Sequence, residues 1–60
     1  MTVVVRFVSG REMRGEVGCE VLVDVWALAT GGFLTLVDPS GVVNLVSVGH
    51  IETVRELSEP

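Results

Sequence analysis

Sixty residues allow one domain, and eight acids against four basic residues give a formal charge of −4. One cysteine, one histidine, no tyrosine and no lysine rule out an internal disulfide and a Cys/His metal cage, so neither an enzyme nor a cofactor is expected. A chain this short buries only about 60% of the surface its unfolded form exposes, yet 48% of its residues are hydrophobic and the mean hydropathy is +0.60. The surplus apolar surface predicts self-association or a protein partner.

Valine recurs throughout, and its stiff, branched side chain favours strands. The first predicted strand is Thr2 to Val8, with Val3, Val5 and Phe7 on one face and Val4, Arg6 and Val8 on the other. Ser9-Gly10 is a turn signal, and a second strand follows from Glu12 to Val17. Val3, Val5, Phe7, Met13 and Val17 are the expected core, and Arg6, Arg11 and Arg14 are expected at solvent or an interface.

Cys19 to Thr30 admits two readings. As a strand it places Val21, Val23 and Val25 on one face. As a helix it makes a stripe of Val21, Leu22, Val25, Trp26 and Ala29, with Glu20 and Asp24 opposite. Valine's cost in helices and the preceding Gly18 favour the strand, joined to Phe33 by a hairpin through Thr30-Gly31-Gly32. Next, Asp38-Pro39-Ser40-Gly41 separates Phe33–Val37 from Val42–Val46, which predicts a hairpin on a type I turn. The last strand is Ile51 to Leu57, and Ser58-Glu59-Pro60 should fray. Short strands with regular turn signals predict an all-β domain, a small five-stranded barrel with antiparallel meander strands.

Candidate contact residues are few. Trp26 is the one large aromatic, either core filler or an interface anchor. His50 follows a glycine before the last strand, as a turn histidine or a ligand contact. Cys19 reads as a small core residue, and the spaced acids Glu16, Glu20 and Asp24 as a solvated face.

The stretch Val3-Val4-Val5-Arg6-Phe7-Val8-Ser9-Gly10-Arg11-Glu12-Met13-Arg14-Gly15 resembles the first motif of the Sm-like (Hfq/LSm-type) family. Val3, Val5, Phe7 and Met13 match its core positions, Gly10 its turn glycine and Gly15 its bend glycine; Ile51-Glu52-Thr53-Val54 is similar to its last strand. The resemblance implies a small barrel whose copies pair strand edges into a ring, with RNA as a possible ligand. It covers the two ends of the chain. In register with Ile51, the family's basic–histidine pair falls on Val48 and Gly49, with His50 one place late, so the RNA-contacting residues do not carry over.

Two functions therefore compete. One is a homo-oligomeric assembly or protein-interaction module. The other is a ring that binds RNA or single-stranded nucleic acid, with Arg11, Arg14, Trp26 and His50 as contact candidates. Acidity and the lack of lysine favour the first, because phosphate binding needs a basic surface. The opening residues lack a signal-peptide pattern and no apolar run reaches the ~18 residues of a membrane span, so a cytoplasmic setting without membrane contact is expected.

Overall fold

A computed structural model describes residues 1–57, and the expectation for Ser58-Glu59-Pro60 lies outside them. The chain forms β1 (Thr2–Phe7), β2 (Glu12–Glu16), a 3₁₀ helix (Leu22–Leu28), β3 (Phe33–Val37), β4 (Val43–Ser47), a short 3₁₀ helix (Val48–His50) and β5 (Ile51–Glu56). The strands make one antiparallel sheet in the order β4-β3-β2-β1-β5. The domain is thus mostly β, as expected.

The sheet is open, which corrects the expected closed barrel. Closure would require β4 to pair with β5, and these are the two edges of the sheet. The Val48–His50 helix connects them in sequence. Its first N–H donates to the Gly32 carbonyl at 2.9 Å, and its last carbonyl accepts from Val8 N–H at 2.9 Å, so the connection is fastened at both ends. The sheet is also thin at its middle, where the β2–β3 register among the described residues is the single pair Glu16 and Val37.

Strand register decides the faces. Val3 lies opposite Gly15, Val5 opposite Met13 and Val54, Leu34 opposite Val46 and Leu36 opposite Asn44. Directly opposed residues share a face, and this inner face holds the core of Val3, Val5, Val17, Val25, Leu34, Leu36 and Val46. Phe7 and Met13, expected in the core, are half-buried and pack against it. Val4, on the face opposite Val3 and Val5, is also buried, though less completely than they are. It stands on β1 between Arg14 of β2 and Arg55 of β5, whose aliphatic stems can cover an apolar neighbour while their heads stay wet.

The Asp38–Gly41 turn forms as predicted. Gly41 has φ 89°, and Asp38 N–H donates to the Val42 carbonyl at 3.0 Å. That bond keeps Val42 in the turn, so β4 begins at Val43, one residue later than predicted. Gly31 and Gly32 both have positive φ, as a two-residue type I′ turn requires, and Thr30 and Phe33 exchange backbone hydrogen bonds at 2.9 and 3.0 Å.

The hairpin turn exists, but the strand expected before it does not. Leu22–Leu28 is a 3₁₀ helix. At three residues per turn, positions i and i+3 eclipse, so Leu22, Val25 and Leu28 share one face, and Val25 is fully buried on the core. The apolar triplet spacing outweighs both the valine alternation and valine's helix penalty, because Val25 closes one side of the core.

Candidate functional site

The outer face of the sheet divides into two unlike halves. On β2-β1-β5 the outward residues other than Val4 are polar: Thr2 lies opposite Glu16, Arg14 and Arg55 flank Val4, and Arg6 lies opposite Glu12 and Thr53. Here the arginines are neutralised in place. Arg6 meets Glu52 at 3.5 Å and Arg55 meets Glu12 at 3.3 Å. Such exposed pairs add about 0–1 kcal/mol each, but they occupy the cations a phosphate would need.

On β3–β4 the outward residues carry no charge. Phe33 lies opposite Ser47, Thr35 opposite Leu45 and Val37 opposite Val43. Phe33, Val43 and Leu45 are 48%, 62% and 68% exposed. This face ends at the unpaired edge of β4, with neither lysine nor proline on that strand to block pairing. The whole chain exposes 3996 Å², close to the ~3,800 Å² of an ordinary monomer of its mass. The packing is therefore of normal compactness, and the apolar residues of β3–β4 stand out by their grouping on one face.

A groove of about 740 Å³ opens between β4 and the turn that joins β1 to β2. Phe7, Val8, Met13, Leu45 and Val46 give it apolar walls, and Arg11, Glu12 and His50 stand among its polar lining. The β1–β2 turn is fixed by Phe7 N–H to the Arg11 carbonyl at 2.8 Å and Gly10 N–H to the Phe7 carbonyl at 2.9 Å. The Val8–His50 backbone bond ties that turn to the short helix, which brings Arg11 and His50 to one groove. Arg11 makes no ion pair among the described residues.

No family model, curated protein or solved structure matches the chain. Its site is therefore read from its own chemistry.

Of the four contact candidates, the groove gathers Arg11 and His50. Arg14 points to the opposite face of the sheet, beside a small cleft shared with Thr2, Glu16 and Pro39. Trp26 lies on the Leu22–Leu28 helix and is 47% exposed, so it is no core filler. Cys19 is half-buried against the core and takes no part in the groove that His50 lines. Sequence reasoning missed the Phe33–Val43–Leu45 face. Its signal is present in Phe33-Leu34-Thr35-Leu36-Val37 and Val42-Val43-Asn44-Leu45-Val46, which are apolar at both strand parities rather than at one.

Two carboxylates have their charged form favoured. Asp38 accepts from the Ser40 hydroxyl and from the Val42 and Ser40 N–H groups, which holds it below its ordinary value. Glu16 is lowered chiefly by its hydrogen bond from the Thr2 hydroxyl. Both lie at turn or strand surfaces and serve the fold. Among the described residues no three of His, Cys, Asp and Glu come together, and no helix is long and apolar enough to cross a membrane.

Proposed function

We propose that this chain is a non-enzymatic assembly module that binds its own copies through the outer face and edge of β3–β4. The observation that carries this reading is the charge-free face of Phe33, Val43 and Leu45, ending at an unpaired strand edge. Apolar burial contributes roughly 25 cal/mol per Å². A standard interface takes about 800 Å² from each partner, roughly a fifth of this chain's 3996 Å².

The Sm-like resemblance of Val3 to Gly15 fits the same reading, because two unlike free edges, β4 and β5, allow head-to-tail pairing into a ring. The half-buried lone thiol of Cys19 suits a reducing, cytoplasmic setting. Binding of RNA is the second reading, and the Arg11–His50 groove is the observation in its favour. The net charge of −4 and the arginine–glutamate pairs on the other face oppose it.

A dilution series followed by amide chemical shifts tests the proposal. Resonances of Phe33–Val37 and Val43–Ser47 should move with concentration. Shifts that stay constant there over the whole range would refute it.

A further inference from the structure

The groove and the outward side of the Leu22–Leu28 helix are complementary, and no residue of that helix lines the groove of its own chain. We propose that the helix of one copy docks in the groove of the next, with Trp26 seated against the apolar walls and Asp24 facing Arg11. The inference rests on the self-assembly reading and specifies one contact within it.

The helix supplies a preformed knob. Its period of three turns Leu22 and Val25 towards the core, while Leu28 at its end is exposed, and it leaves Val23 and Trp26 three residues apart on the outward side. Val23 is 79% exposed and Trp26 47% exposed. Large aromatics seated in desolvated pockets are the commonest interface anchors. Fully buried Val25 fixes the helix to its own domain, so the knob is presented rigidly and little ordering cost remains to be met on docking.

Charge selects a second copy as the occupant. The groove carries a guanidinium at Arg11 that forms no ion pair among the described residues. Its neighbour Glu12 is held by Arg55 at 3.3 Å. The helix carries Asp24, and Glu20 lies just before it; neither forms an ion pair among the described residues. An unpaired cation beside an apolar groove and unpaired acids beside an apolar knob thus occur on one chain. The two patches differ, so the contact is head-to-tail and propagates to a ring or filament. The charge pair sets orientation more than affinity.

Trp26 is the sole tryptophan and the chain has no tyrosine, so the emission reports the surroundings of Trp26, and the charge variants tie a change to this contact. Emission should shift to shorter wavelength, and quenching by acrylamide should fall, as concentration rises through the assembly range. Arg11→Glu and Asp24→Arg should each weaken association about tenfold, because each places like charges together. An equimolar mixture of the two variants should associate nearly as the wild type does, since each then meets an opposite charge. Far-ultraviolet circular dichroism confirms that both variants fold. Association with constant Trp26 emission and unaffected variants would overturn this contact while the self-assembly reading stands. A wild type that stays monomeric would remove both. Binding of labelled oligouridine that is lost in Arg11→Glu would assign the groove to nucleic acid and overturn the inference.

Discussion

A Cβ placed on Gly15 would stand 2.5 Å from Cγ of Leu36 and 2.9 Å from the Val37 carbonyl oxygen. This close approach sits where β2 meets β3, next to their pairing of Glu16 with Val37. Leu36 is fully buried, so its branch point has nowhere to move.

Gly15→Ala should therefore destabilise the fold by about 1–3 kcal/mol, the usual cost of overpacking, and Gly15→Val by more. Gly18 is the control, since a Cβ there meets nothing within 4 Å and its φ is ordinary. Urea midpoints, measured at one fixed chain concentration because assembly shifts them, should fall for the Gly15 variants and hold for Gly18→Ala. Equal midpoints across the set would mean that the two strands are not in such close contact.

The phase of the Leu22–Leu28 helix is tested by a pair of valines. Val25 is fully buried and Val23 is 79% exposed. Val25→Ala removes two buried methyl groups and should cost about 2 kcal/mol, at ~0.8 kcal/mol per group plus a cavity term. Val23→Ala should stay within about 0.5 kcal/mol of the wild type in folding stability. A strand with Val23 and Val25 on one face would make both costly, which urea denaturation distinguishes.

Acid sensitivity follows from Asp38 and Glu16. Both carboxylates are lowered in the folded state, from ordinary values of 3.8 and 4.5. A lowered folded value means that the unfolded chain binds protons more readily. The stabilisation is complete above the ordinary carboxylate range and is lost as pH falls through the folded values. Asp38→Asn and Thr2→Val should each flatten the fall of the urea midpoint below about pH 4.5, relative to the wild type. An unchanged pH profile in both variants would show that these hydrogen bonds do not favour the charged forms.

Much of the strand framework was legible because its signals were local. Val3, Val5 and Val17 face the core as their alternation predicts, and the Asp38–Gly41 turn carries its own chemistry in Pro39 and Gly41. Gly15 was legible as a position that excludes a side chain, although the structure shows a close approach of strands rather than a barrel corner. The Leu22–Leu28 helix was misread because Val21, Val23 and Val25 satisfy strand alternation while Leu22, Val25 and Leu28 satisfy a period of three. Which period wins depends on whether a neighbouring strand exists to accept the backbone, and that is a tertiary fact. The open edge of β4 was hidden for the same reason, since whether β4 meets β5 depends on the arrangement of the whole sheet and not on either strand's own residues. Within the candidate site, Arg11 and His50 were identified one at a time, and their convergence needed the fold.

The central claim, that copies associate through β3–β4, is tested most directly by sedimentation equilibrium at two salt concentrations. The wild type should show a multiple of 6.4 kDa at micromolar concentration. Association should tighten with salt, which screens the −4 charge that each chain carries. Leu45→Lys lowers that repulsion yet should return the mass to the monomer's, because it places a charge in the apolar contact; Leu45 is 68% exposed, so the fold itself should be little affected. A wild-type mass of 6.4 kDa at every concentration and salt, with cooperative unfolding intact, would contradict the account.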